Sequence, residues 1–309
     1  EGIAHPAAIA RLARQMAEVL PVGYFHVVFT LPHALNGIHP TTALDTLLFD
    51  AAARTLLAFA HDPKWLGAEP AITALLHTWD QRLRVHRHVH CLVSGGGLSP
   101  AGHWLSTRTN FLFPVRAMSR HFRGTFLSAL ATALDRGALR LPETLSRQAL
   151  WAELIRQDWV VYAKPPLAGP SQVLAYLSRY THRTAIGNPR LVGMADDRVT
   201  FRWRDRARGN ATRLLTLPVD DFIRRFLCHV LPKGFQRIRH YGLLANRHKA
   251  RCLALARQAL VVPVPEAVAP ESVAAFVSRV LGVDVRRCPV CHEGRWQCVA
   301  HVPRARGPP

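Results

Sequence analysis

The chain has 309 residues, 49% of them hydrophobic, enough for one large domain or two smaller ones with a proper apolar core. Its 40 Lys and Arg stand against 20 Asp and Glu, a formal net charge of +20 with 17 histidines besides, and so basic a folded chain points to a polyanionic partner. No apolar run approaches the roughly 20 residues of a membrane span, because arginine interrupts nearly every segment, so nucleic acid rather than a membrane is the expected partner.

Only Lys64, Lys164, Lys233 and Lys249 are lysines, so the positive charge is almost all arginine. Codon bias in a GC-rich genome accounts for that excess, and the planar guanidinium fork also suits phosphate. Cys91, Cys228 and Cys252 are scattered and form no disulfide framework, which fits a reducing cytoplasm. The first residue is Glu and no signal peptide is evident, so the chain reads as incomplete or processed.

In chain order, residues 6–20 carry apolar side chains at helical spacing and predict a short helix, the remnant of a linker, ended by Pro21. Residues 23–33 are β-branched and aromatic and predict a buried strand. A helix is expected over 41–61, then strands over 71–79 and 88–97 joined by the polar connection 80–87, with Gly95, Gly96 and Gly97 breaking the second strand. Helices follow over 115–135 and 145–157. A strand over 159–164 is ended by Pro165 and Pro166, a helix covers 171–183 and a β-hairpin covers 190–205. Residues 219–260 return to helix with dense arginine, and 263–272 is Pro-rich. Interleaved strands and helices with hairpins predict an α+β fold on an antiparallel sheet.

The densest chemistry is His86-Arg87-His88-Val89-His90. On a strand, residues 86, 88 and 90 share one face and Val89 takes the other, so two imidazoles form a chelating pair while the hydrophobe anchors the strand. A third ligand must come from elsewhere; His77, Asp80 and Gln81 lie on the preceding strand and its turn. The His-X-His spacing is common, so by itself it equally describes a chance cluster or a structural zinc site.

Tyr176 and Tyr180 are four residues apart on the expected helix and project from one side, bordered by Arg179, His182 and Arg183. A tyrosine hydroxyl becomes a competent nucleophile when its target is strongly activated, as a phosphodiester held by a metal and arginines would be. Read alone, such a pair is more often structural; the histidines and the charge give it meaning.

The blocks FHVVFTLPH (25–33), LLHTWDQRL (75–83), HRHVHCLVSGGG (86–97), YAKPPLAGPSQVLAYLSRYTHRTAIGNPRL (162–191), VTFRWRD (199–205) and LPKGFQRIRHYGLLANR (231–247) together resemble one family. It is the insertion-sequence ninety-one family of rolling-circle transposases, within the two-tyrosine HUH endonucleases. The resemblance implies a ferredoxin-like palm, an antiparallel sheet with the histidine strand at its centre and helices on one face. It further implies His88 and His90 as ligands of Mg²⁺ or Mn²⁺, and Tyr176 and Tyr180 as nucleophiles acting on single-stranded DNA at transposon ends and target. His77 is the preferred third ligand because it belongs to a matching block, with Gln81 and Asp80 as alternates. Family members commonly carry Gly where Asp80 stands, and usually begin with a cysteine-rich zinc module, for which this chain shows no N-terminal cysteines.

Lys233, Arg237, Arg239, Tyr241 and Arg247, with Phe235 between them, form a cationic and aromatic segment suited to phosphates and stacked bases; a solvated helix face is the plainer reading. Cys288 and Cys291 make half a zinc knuckle that Cys298 and His301 could complete, although the six-residue loop between the pairs is short. The expected division is an N-terminal helix (1–20), a catalytic domain (21–218), an arginine-rich helical DNA-binding region (219–260), a linker with a short helix (261–283) and a basic tail (284–309).

Overall fold

The computed structural model describes residues 18–167, 185–205, 208–263 and, near the C-terminus, 275, 278, 284, 286–288 and 290–297. The helix expected over 171–183, the linker over 264–272 and nearly all of the helix over 6–20 lie outside the described residues. The chain divides into two units, Val19–Val264 and the paired ends Glu1–Glu18 with Pro265–Pro309. The architecture below is that of the first.

The fold is α+β around a six-stranded antiparallel sheet. Its strands are β1 (Tyr24–Thr30), β2 (Glu69–Trp79), β3 (Val85–Leu98), β4 (Trp104–Ser106), β5 (Val161–Leu167) and β9 (Ile238–Gly242). The order is β5-β1-β3-β2-β9, with β4 pairing the far end of β3 beyond the reach of β1, so the histidine strand is central.

Alternation along the strands decides which side is core. Phe25, Val27 and Phe29 of β1, Ile72, Ala74 and Leu76 of β2, and Val89, Cys91 and Val93 of β3 all enter one apolar cluster. That cluster is closed by helices α1 (Thr41–His61), α2 (Val115–Asp135) and α3 (Arg147–Arg156). Phe29 meets Phe122 at 4.9 Å between ring centroids, and Phe122 meets Trp159 at 5.4 Å in an edge-on pair. Each such pair adds about 1 kcal/mol beyond the area it buries. Helix starts follow local chemistry: Pro40 and Pro114 precede α1 and α2, and the Ser146 hydroxyl accepts from the Ala149 N–H at 3.1 Å to cap α3.

A second, three-stranded sheet is built from β6 (Leu191–Ala195), β7 (Arg198–Asp205) and β8 (Ala211–Pro218), followed by α4 (Val219–Leu227). Asp196 and Asp197, both at positive φ, make the tight turn between β6 and β7. Phe201 and Leu217 pack with Leu83, Ala185 and Ile186 into a separate small core, against which Trp79 and Phe222 rest. Helix α5 (Lys249–Ala259) packs Leu253 and Ala256 against Leu243, Leu244 and Ala71.

Four local expectations are corrected. Gly95, Gly96 and Gly97 do not break β3: they continue it, because only a residue without Cβ lets β2 and β4 approach so closely. An added Cβ would meet Glu69 O at 2.5 Å from Gly97 and Leu105 O at 2.6 Å from Gly96. Pro165 and Pro166 lie inside β5 rather than ending it, since β5 is an edge strand and its register against β1 shifts beside them. The hairpin over 190–205 gains a third strand, β8. Finally, residues 219–260 are not continuously helical: Ile238–Gly242 form β9 and complete the central sheet against β2. Helical periodicity and dense arginine concealed a five-residue strand whose pairing partner is more than 160 positions away.

Candidate functional site

The side chains of β1, β2 and β3 that turn away from the helices include the histidines His26, His77, His88 and His90 among apolar residues such as Leu75 and Leu92. His88 and His90 lie on this side of β3, and the register sets His77 of β2 directly across from His88. The ring centroids are 4.9 Å apart for His88 and His90, 4.5 Å for His77 and His90, and 5.4 Å for His77 and His88. One nitrogen from each of the three lies within 4.8 Å of the others. Three ligands at about 2.1 Å from a shared cation stand about 3.0–3.4 Å apart, so small side-chain adjustments close the set.

The tautomers suit that role. His88 Nδ1 donates to the carbonyl of His86 at 2.8 Å, which leaves its Nε2 an unprotonated acceptor. His90 Nδ1 shares a 2.8 Å hydrogen bond with Nε2 of His26, the two rings lying edge to edge and nearly parallel, at 4° with centroids 5.1 Å apart. Orienting an imidazole through its second nitrogen is what metal-binding histidines require. Burial pushes His26 down to about 4, helped by the Lys164 charge, so this ring stays neutral. His77 is 4% exposed and its ring stacks on Trp79 at 4.8 Å.

Of the three candidates for a third ligand, the structure brings His77 to the pair and leaves Asp80 and Gln81 in the turn. The Asp80 carboxylate accepts from the backbone N–H groups of Arg82 and Arg84 and from the Arg84 side chain at 2.7–2.9 Å. Those bonds hold its pKa below the usual carboxylate value even though burial works against them. The Gln81 carbonyl accepts from Arg190.

Sequence reasoning overlooked three supporting groups. His26 was hidden in an apolar run, although its alternation with Phe25 and Val27 could have placed it beside the histidine pair. Arg87 turns to the helix side, where it is 4% exposed, and donates to Asp45 at 3.0 Å and to Asn36 at 3.3 Å. His229 bridges Thr78 Oγ1 and the Leu83 carbonyl, both at 3.1 Å, and burial lowers its pKa. No local pattern announces contacts spanning 42 to 151 positions.

The cationic segment is divided between packing and solvent. Arg237 lies over the Trp79 ring at 5.0 Å and donates to the Leu76 carbonyl at 3.1 Å, and burial lowers its pKa. Arg239 covers Phe49 at 4.5 Å and donates to Thr46 at 2.9 Å, while Tyr241 is half-buried against the main core. Lys233 and Arg247 are exposed. Tyr176, Tyr180, Arg179 and Arg183 lie outside the described residues, as do Cys298 and His301. In the tail, Cys288 and Cys291 flank a turn in which Gly294 N–H donates to Cys291 Sγ at 3.3 Å, the first of the bonds that lower that thiol's pKa. No helix among the described residues is long and apolar enough to cross a membrane.

The class of protein is given by the chain's relatives, which are transposases. The family model described as "Putative transposase" matches residues 71–251, more than half of the chain. A protein named "Putative transposase y4qJ", from Sinorhizobium fredii (strain NBRC 101917 / NGR234), is 46% identical over 96% of this chain and 78% of its own length. The "Transposase for insertion sequence element IS801" of Pseudomonas savastanoi pv. phaseolicola is 30% identical over 86% of this chain, which spans 65% of that relative. The chain belongs to this transposase family, as its sequence blocks implied. The solved structure of "Conjugative Relaxase TrwC in complex with mutant OriT Dna" aligns with 77% of this chain and 74% of that one, at 11% identity and a TM-score of 0.26.

Proposed function

We propose that this transposase nicks single-stranded DNA and transfers it through tyrosine, in the manner of an HUH endonuclease. The observation that carries the reading is the convergence of His77, His88 and His90 on one face of the central sheet. These three would hold Mg²⁺ or Mn²⁺, which when bound neutralises charge developing on the scissile phosphate. Imidazoles are soft for such hard cations, yet three of them leave positions for phosphate oxygens.

Tyr176 and Tyr180 are the nucleophiles in this reading. One phenolic oxygen forms a bond to phosphorus as the bond to the 3′ oxygen breaks; the departing oxygen takes the electron pair and a proton, leaving a free 3′ hydroxyl. The product is a 5′-phosphotyrosine ester. One ester replaces another, so rejoining needs no ATP, and the second tyrosine permits the second exchange that moving a strand requires. Arg179, Arg183, Lys233 and Arg247 would contact phosphates at the transposon ends and target, with Arg237, Arg239 and Tyr241 shaping the adjoining surface. Cys288 and Cys291 would bind structural zinc with Cys298 and His301. The setting would be the bacterial cytoplasm, at the nucleoid.

The test is a covalent adduct that survives SDS after incubation with Mg²⁺ and a single-stranded oligonucleotide bearing a transposon end. The adduct should vanish with EDTA and in the Tyr176→Phe/Tyr180→Phe double variant, while one single variant keeps cleavage and loses complete transfer. An undiminished adduct in the double variant would place the nucleophile elsewhere. Wild-type protein that binds the oligonucleotide but forms no adduct would favour the rival reading, a non-catalytic nucleic-acid-binding relic of a transposase.

A further inference from the structure

The small sheet has two unlike faces. Val199, Phe201, Trp203 and Asp205 of β7 are buried toward the small core, where Arg82 stacks over Trp203 at 3.8 Å and Arg213 pairs with Asp205 at 3.5 Å. The intervening residues of β7 are Arg198, Thr200, Arg202 and Arg204. The register sets Thr200 beside Thr216, Arg202 beside Leu214 and Arg204 beside Thr212, so the outer face carries three arginines, three threonines, one leucine and no carboxylate on these two strands. Across the other edge of β7, Arg198 and Thr200 meet Ala195 and Gly193, whose side chains are no larger than a methyl group.

All three arginines are exposed, and among the described residues none has a carboxylate within ion-pair distance. The Arg202 guanidinium donates to the Pro189 carbonyl at 3.3 Å, and the Arg202 carbonyl accepts from Arg190 Nε at 2.8 Å. The nearest acids in sequence are Asp196 and Asp197, in the β6–β7 turn at one end of the row, and Asp205, which is buried on the opposite face of β7. Leu214, 62% exposed, lies in the middle of the face although a large apolar residue gains nothing there from the fold. Among the described residues some other exposed arginines are tied to acids, as Arg147 is to Asp135 and Arg224 is to Asp221, while others, such as Arg54, Arg116 and Arg156, are not. It is the alignment of three arginines along one strand face that sets this surface apart.

We infer that the outer face of β6–β7–β8 is a docking surface for the phosphodiester backbone of single-stranded DNA, held by Arg198, Arg202 and Arg204 and lined by Thr200, Thr212, Thr216 and Leu214. Alternate residues of a strand are about 6.8 Å apart, so the row from Arg198 to Arg204 spans about 20 Å and reaches several successive phosphates. A single strand fits better than a duplex on two counts. Three strands about 4.8 Å apart exceed the two-stranded ribbon that a major groove admits. Leu214 offers an apolar contact to a base face, which a duplex hides. The surface rests on the DNA-transfer reading for its partner, but not on the metal or the tyrosines for its binding.

The experiment measures binding of the full chain to a fluorescent single-stranded oligonucleotide of mixed sequence, in EDTA, across a range of salt concentrations. Substituting Arg202→Gln with Arg204→Gln should lower affinity about tenfold and reduce the salt slope by about 1.4, at roughly 0.7 per phosphate contact. Adding Arg198→Gln should reduce it by about 0.7 more. Arg147→Gln, which removes an equally exposed but acid-paired arginine, should leave the slope unchanged. An unaltered slope in the double variant, with its thermal unfolding intact, overturns the inference. Unlabelled duplex of the same sequence that competes better than the single strand overturns the choice of occupant. Normal binding with no adduct in Mg²⁺ would instead count against the transfer chemistry, so the two failures are distinguishable.

Discussion

The two faces of β3 carry the same backbone and opposite tasks. Toward the helices, Val89, Cys91 and Val93 are fully buried in a cluster of aliphatic and aromatic side chains. On the other side, His88 and His90 join His77 and are steered by His86 and His26. The first face gains stability from removing apolar surface, about 25 cal/mol per Å². The second brings together nitrogen ligands that add little to folding by themselves. The lesson is that one strand period separates the residues that hold the sheet from those that would work on DNA, and each face should fail in its own way.

The largest effect expected is on the histidine face. His88→Ala should lower adduct formation about a thousandfold, the loss of several kcal/mol of transition-state stabilisation. Its unfolding free energy should move by less than about 1 kcal/mol. Activity that falls only as far as the folded fraction falls, read by circular dichroism beside the adduct gel, would erase the contrast.

The helix side should answer with stability instead. Asp45→Asn leaves the Arg87 guanidinium buried without its carboxylate, which costs about 3–5 kcal/mol in a urea titration. A neutral result would mean that the pair does not anchor β3.

Gly242→Ala probes the sheet's far edge. The glycine stands at φ +61° and an added Cβ would meet Pro70 O at 1.9 Å, so β9 must shift away from β2. The expected loss is about 2 kcal/mol, with hydrogen exchange of residues 238–242 accelerated first. Uniform exchange across the sheet would show that β9 is not a separable edge.

The smallest effect concerns acid. His229 is buried and its folded pKa is lowered, so the unfolded chain binds its proton more readily. Stability from this group is therefore complete above the ordinary imidazole range, near about 6.5, and is lost as pH falls below it. His229→Gln should make the acid limb of a stability–pH profile shallower while costing about 1 kcal/mol at neutral pH. An unchanged limb would assign the acid sensitivity to other groups.

Much of this was legible before any fold was known. Strand alternation put His88 and His90 on one side and Val89 on the other, and helices were expected over 41–61 and about 115–135, where α1 and α2 lie. Net charge pointed to a polyanion, and the sequence blocks, those around residues 75–97 and 231–247 among them, pointed to the family, because each of these properties is local or additive along the chain. The tertiary structure sets His77, rather than Gln81 or Asp80, beside His88 and His90, since only strand register determines which β2 side chain faces His88. It also decided that His26 orients His90, that Arg87 finds Asp45, that three glycines continue β3 and that an arginine-rich stretch contains β9. Those outcomes depend on partners tens to hundreds of positions apart. Backbone pairing and desolvation select such partners only once the sheet is assembled, and no local pattern encodes the choice.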